Sequence, residues 1–206
     1  MLCDGLCRMP VYALWDCSWG VHDSGSQSGI GEGFVQPEAC DAADHLRVDL
    51  PADKGTYILI ASVSEMRHLG IGSLGKCDII PGFYAYVGSA FGSGGLRARI
   101  GHHLESTAEP HWHIDYLLQV ATPVEVWFTT ADRKLEHRWA ELLEEAPGFR
   151  VPILRFGSSD YHRSRSSHLF YSKRRPSFRW FQQHIQNNFE GVEVEQYRIP
   201  PPTEGL

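Results

Sequence analysis

The chain has 206 residues, 42% of them hydrophobic and 12% aromatic, with a formal charge of −6. That is ample apolar material for a core and excludes wholesale disorder, while no stretch approaches the roughly 18 consecutive apolar residues that span a bilayer. Asp4 and Arg8 interrupt the short apolar pieces at the start, so no secretory signal is read there, and a soluble, cytoplasmic protein with no membrane partner is expected.

The opening segment interleaves glycine and serine, as in Ser24-Gly25-Ser26-Gln27-Ser28-Gly29, and sustains no period of 2 or 3.6. Residues 1–50 hold eight acidic side chains against Arg8 and Arg47, which leaves 17 acidic and 17 basic groups in 51–206. Residues 1–52 therefore read as a flexible acidic extension, or as translated sequence ahead of a later start such as Met9. Cys3, Cys7, Cys17, Cys40 and Cys77 are odd in number and irregularly spaced. They make a poor disulfide framework, and no second Cys/His pair completes a zinc site.

Domain material follows. Gly55 to Val63 is β-branched and apolar, a length suited to a buried strand. The glycines of 69–75 and Pro81-Gly82 break the chain before a second strand, Phe83 to Ser89, and two strands around such an excursion suggest a broad hairpin. A helix starts near Leu96, with Leu96, Ile100 and Leu104 at helical spacing. A third strand is predicted over Val124–Thr129. A helix over 133–145 follows, with Asp132 as its cap and Leu135, Trp139, Leu142 and Leu143 as its stripe. Ser177 to Asn188 is predicted as a last helix before the Pro200-Pro201-Pro202 tail. The fold class is α+β: a small mixed or antiparallel sheet of about three strands flanked by helices. Residues 53–172 make the domain, and 173–206 a basic, aromatic helix and proline-rich tail.

Arg99 and His103 are four apart and project from one face of the first helix, at the border of its apolar stripe. Glu136 sits at the stripe edge of the next helix, whereas Glu141, Glu144 and Glu145 fall on the solvated side. Such boundary charges also arise from simple snorkelling or local pairing. Tyr57, Tyr84 and Tyr86 are equally at home as strand packing residues. The His111-x-His113-x-Asp115 cluster is open to three readings: metal ligands, substrate contacts or structure. Between Asp160 and Arg179 lie Arg163, Arg165, Lys173, Arg174, Arg175 and Arg179, with aromatics interleaved. That composition suits a nucleic-acid backbone and exposed bases, and equally a solvated charge run over buried rings.

Together these residues resemble the GIY-YIG nuclease superfamily. The order is Gly55-Thr56-Tyr57, then Tyr86-Val87-Gly88, then Leu96-x-x-Arg99-x-x-x-His103, then a helical Glu136. More narrowly, the blocks Gly55–Tyr57, Tyr86–Ala90, His111–Leu117, Phe156–Asp160 and His168–Phe170 resemble an uncharacterised branch also found fused to endonuclease-III-type DNA glycosylases. The resemblance implies a metal-dependent endonuclease or related phosphodiesterase acting on nucleic acid, DNA above all, in repair or processing. It implies a DNA glycosylase or another repair enzyme as a partner. Tyr57 would be the general base or position the attacking water, Tyr86 would hydrogen-bond near the scissile phosphate, and Arg99 would stabilise the phosphoryl oxygens. His103 would assist proton transfer or contact phosphate, and Glu136 would hold one divalent metal, Mg²⁺ or Mn²⁺. Gly88, Arg97, His111, His113, Arg174 and Arg175 would contact the polymer, with Gly88 allowing close backbone approach.

A tyrosine with an ordinary pKa of about 10 is a poor base at neutral pH, so Arg99 and the bound metal are expected to lower that of Tyr57. Relatives carry an Asp-Cys-x-Cys stretch where this chain has Asp160-Tyr161-His162-Arg163, so nothing that depends on those cysteines carries over. The rival class is a non-cleaving nucleic-acid-binding module that recruits or positions another DNA-processing enzyme.

Overall fold

The computed structural model of the protein describes residues 49–105, 110–157 and 167–201. Most of the acidic extension, Cys3 to Cys40, Arg163 and Arg165, and the end of the proline tail lie outside the described residues. No helix among the described residues is long and apolar enough to cross a membrane.

The central strand β1 (Thr56–Val63) carries an unbroken apolar run because both of its faces are covered. It pairs antiparallel with β4 (Gly82–Ser89), from Thr56 opposite Ser89 to Val63 opposite Gly82. On its other side it pairs antiparallel with β5 (Thr122–Thr129). The broad hairpin read from the sequence is therefore present. Its glycine-rich excursion is itself a hairpin of β2 (Arg67–Ile71) and β3 (Gly75–Ile79), turned through a short 3-10 segment. Gly72 and Gly75 both have positive φ at that turn, so glycines that looked like breakers are the turn chemistry of a second small sheet.

The expected sheet of about three strands is corrected to six, in the order β6-β7-β4-β1-β5-β8, with every pairing antiparallel. The added strands are β6 (Phe149–Arg150), β7 (Leu169–Ser172) and β8 (Glu195–Arg198). Each has four residues or fewer, too short for alternation to register in a sequence window. The stretch after residue 172 contributes β8 and α4 (Phe178–Asn188) to this sheet and its covering layer.

Helices α1 (Gly95–Leu104) and α2 (His113–Leu118) cover one face of the sheet, burying Leu96, Ile100, Ile114 and Leu117 against Leu59, Ala61 and Phe128. Helices α3 (Glu136–Glu145) and α4 cover the other, where Trp139, Leu143, Phe181 and Ile185 pack on Ile58, Ile60 and Trp127. The period-2 geometry of a strand assigns Tyr57 to the first face and Ile58 to the second.

The predicted last helix is α4, and Ser177 caps it, its hydroxyl accepting from the Trp180 N–H at 3.3 Å. Asp132 does not cap α3. The helix begins at Glu136 without a local cap, and the Leu135 N–H donates instead to the buried Thr56 hydroxyl at 3.1 Å. A strand 79 residues away supplies the partner, satisfying an end group that local sequence leaves open.

Candidate functional site

On the α1/α2 face, at the β4 end that carries Tyr86, polar side chains gather where the rest of the layer is apolar. Tyr57 from β1 is buried, and its hydroxyl lies 2.9 Å from His103 Nε2 on α1. His103 Nδ1 is 3.0 Å from Asp115 Oδ1 on α2. The second oxygen, Asp115 Oδ2, accepts from the backbone N–H groups of His111 (3.1 Å) and Trp112 (2.8 Å). Tyr86 completes the cluster from β4, with ring centroids 6.4 Å from Tyr57 and 6.3 Å from His103. Behind His103 and Asp115 is a cavity of about 90 Å³, lined also by Glu105, Gln119 and Pro123, roomy enough to hold water.

The tyrosine ring dictates its neighbour. Gly88 stands directly opposite Tyr57, and a Cβ there would lie 2.3 Å from Tyr57 Cζ and 2.4 Å from its hydroxyl. The missing side chain at Gly88 thus makes room for the Tyr57 ring across the strand pair. Gly157, at φ 76°, makes similar room for Tyr86 and His168, where a Cβ would fall 3.1 and 3.2 Å from them.

Arg99 is partly exposed at the mouth, its guanidinium 4.5 Å from the centroid of the Trp112 ring. Glu136, the first residue of α3, is partly buried, and its charge acts on both Tyr57 and Tyr86, as does that of Arg99. The fold therefore brings Tyr57, Tyr86, Arg99, His103 and Glu136 to one place from four different elements. His168 borders it. Its Nε2 is buried with no hydrogen-bond partner, and Glu136 opposes the effect of burial on its ring.

Burial sets the protonation states. It drives the Tyr57 phenol well above its ordinary value, aided by Tyr86, with Arg99 acting in the other direction. Tyr86 is likewise pushed up to about 12 by burial, against Arg99. The expected lowering of Tyr57 by Arg99 is thus outweighed by desolvation. Burial lowers His103, with Asp115 opposing. Burial alone would raise Asp115, but hydrogen bonds from His103 and from the Trp112 and His111 N–H groups bring it to about 2.

The other expected contacts fall elsewhere or take structural tasks. Arg97 is exposed, and its Nε donates to the Leu50 carbonyl at 2.8 Å, fastening the chain ahead of β1 to α1. His113 accepts from the Gly157 N–H at 3.1 Å and packs its ring 5.5 Å from Phe156. His111 is exposed beside Trp112. Arg174 and Arg175 follow Ser172, which pairs with Phe83 at the far end of β4 from Gly88. There they line a cavity of about 460 Å³ with Lys173 and Trp180. Arg175 is engaged by the buried Glu125 carboxylate, with Nε 3.2 Å from Oε1 and Nη2 3.2 Å from Oε2, while its side chain stays half exposed.

Of the three readings for the His111/His113/Asp115 cluster, the structure favours support of the fold and of His103. No three His, Cys, Asp or Glu side chains among the described residues converge as a metal-binding group. Asp115 is the residue that sequence reasoning left unassigned. Its carboxylate accepts from the Trp112 N–H at the start of α2, but its partner His103 lies on another helix and has no local signature.

A family profile described as domain of unknown function DUF123 matches residues 56–191, from the first residue of β1 to just past α4. No curated protein and no solved structure matches the chain.

Proposed function

The chain belongs to the DUF123 family, and from that premise we propose that it is a GIY-YIG-like, metal-dependent phosphodiesterase that hydrolyses nucleic acid, DNA above all, in repair or processing. One observation carries the reading. Tyr57, His103 and Asp115 are hydrogen-bonded in series, the charges of Arg99 and Glu136 act on the tyrosine, and these five residue types match the needs of in-line attack on a phosphodiester.

Such attack gathers negative charge on the phosphoryl oxygens. Arg99 is the cation placed to stabilise it. Trp112 holds the guanidinium by a cation–π contact without neutralising its charge. The Tyr57 hydroxyl would orient the attacking water, and Tyr86 would donate to a non-bridging oxygen, a task for which its protonated state suits it. The donor set fits Mg²⁺ or Mn²⁺ at Glu136, because such ions keep several waters and need only one or two carboxylates beside the substrate phosphate. When bound, the ion would supply Lewis-acid stabilisation of the phosphoryl charge. Asp115 is not a candidate ligand, because both its oxygens are already engaged.

The rival reading, a binding module that positions another DNA-processing enzyme such as a glycosylase, draws on the basic cavity at Lys173, Arg174 and Trp180. The two are separated by incubating the protein and Glu136→Ala with labelled single-stranded, duplex, flapped and branched DNA in Mg²⁺ or Mn²⁺, with binding measured on the same substrates. Cleavage by the native chain that falls at least about 100-fold in the variant, with binding retained, is the expected result. Tight binding with no cleavage of any substrate by either protein would favour the recruiting module.

A further inference from the structure

We propose that Asp115 is a positioning residue that fixes His103 in the Nδ1-protonated tautomer, so that His103 Nε2 is the acceptor of the Tyr57 hydroxyl proton. The mechanistic meaning of this assignment rests on the phosphodiesterase reading, but the assignment itself is a statement about one proton.

The geometry leaves little freedom. The side chains of His103 and Asp115 are 2% and 3% exposed and bonded to each other, with only the small cavity behind them to hold water. Asp115 divides its acceptors: Oδ2 serves the two backbone N–H groups at the start of α2, and Oδ1 serves His103. A carboxylate has no proton to give, and the hydrogen bonds around Asp115 keep it ionised at neutral pH. The hydrogen in the 3.0 Å contact must therefore sit on Nδ1. A neutral imidazole with Nδ1 protonated presents a lone pair at Nε2, and there the Tyr57 hydroxyl stands at 2.9 Å. The charged and titratable groups that act on His103 are Asp115 from α2 and Arg99 and His102 from its own helix, with Tyr57 and Tyr86 beside it.

This arrangement removes the difficulty left by a buried phenol. Tyr57 has no need to ionise beforehand, because it gives up its own phenolic proton in the same step in which it receives one. As the water oxygen bonds to phosphorus, its O–H bond breaks and that proton passes to the Tyr57 oxygen. The original phenolic proton moves to His103 Nε2, and the imidazolium so formed faces the Asp115 carboxylate. The leaving oxygen departs with the electron pair of its P–O bond and takes a proton from solvent, and His103 returns its extra proton to solvent. Every proton is conserved and no oxidant or reductant is needed.

Asp115→Asn is the informative variant. Its amide oxygen can still accept from the α2 backbone, while its NH₂ now donates to Nδ1 and moves the ring proton to Nε2. Two-bond ¹H–¹⁵N correlation spectra of the full chain report the tautomer directly, with His103→Gln identifying the ring signals. The native chain is expected to show Nδ1–H and the variant Nε2–H. Cleavage is expected to lose about 10²–10⁴-fold in kcat, with KM little changed. A native spectrum with Nε2–H overturns the proposal, and so does a folded Asp115→Asn that keeps the native tautomer; the native spectrum decides alone should the variant not fold. If the tautomers are as expected but no DNA is cleaved, the assignment stands and the phosphodiesterase reading fails.

Discussion

The two faces of the central sheet are built from alternate residues of the same strands, yet they do opposite work. On the α3/α4 side, Ile58, Ile60, Val87 and Trp127 meet Trp139, Leu143, Phe181 and Ile185, an apolar layer rich in aromatic contacts, including Trp139 on Phe181 at 5.0 Å. On the α1/α2 side, Tyr57 and Tyr86 lead into His103 and Asp115, polar groups buried almost as deeply. Burying unpaired polar groups would cost several kcal/mol, and here Tyr57, His103 and Asp115 are each hydrogen-bonded. The same strands thus carry one face held by packed rings and one whose buried polar groups depend on one another.

The largest expected effect on stability lies on the apolar face. Trp139→Ala is expected to lose about 3–5 kcal/mol in urea unfolding, because a fully buried indole leaves a cavity its neighbours cannot fill. A loss below about 1 kcal/mol would mean that this face is not the principal core. Next comes Gly88→Ala, which drives a methyl into the Tyr57 ring. A loss of about 1–3 kcal/mol is expected, together with a shifted Tyr57 ring signal in NMR. Unchanged stability and spectra would show that the ring does not lie there.

At the far end of β4, Arg175→Ala is expected to cost about 1–3 kcal/mol in the same unfolding measurement. The buried Glu125 would keep only the Gln196 amide among its side-chain partners. A larger loss in DNA binding than in stability would return Arg175 to the polymer contacts.

The smallest effect is one of pH. Burial lowers His103, His113 and His168, so below about pH 6.5 the unfolded chain binds more protons than the folded one. Their contribution to stability is complete above that pH and declines as pH falls toward the lowered native values. Urea midpoints taken from pH 8 to 5 should fall below about 6.5, and a flat profile would contradict the buried, neutral assignment. Asp115 contributes separately. Held at about 2 against an ordinary 3.8, it stabilises above pH 3.8 and loses that contribution as pH falls toward 2.

What the sequence revealed follows from where the information resides. β1, α3 and α4 were legible because an apolar run or a helical stripe is local and long. The residues Tyr57, Tyr86, Arg99, His103 and Glu136 were legible through a spaced pattern, and the fold gathers them. β7 and β8 were not, since four residues carry too little period and their places are set by pairing with Phe83–Tyr86 and Glu125–Phe128. Thr56 as the partner of the α3 N-terminus and Asp115 as the partner of His103 were hidden for the same reason. Each joins elements distant in the chain, and the types of residue alone do not specify the pairing. Burial raises the Tyr57 phenol against Arg99, an effect no sequence displays, because a nearby arginine is visible there and the depth of burial is not.

The measurement that tests the account most directly is Tyr57→Phe, with cleavage of labelled DNA in Mg²⁺ and urea unfolding determined on the same preparation. The variant is expected to lose at least about 100-fold in cleavage rate, while stability changes by only about 1 kcal/mol, since one hydrogen bond is lost and the ring remains. Full cleavage by Tyr57→Phe would contradict the account, because the proton route would then not begin at this hydroxyl.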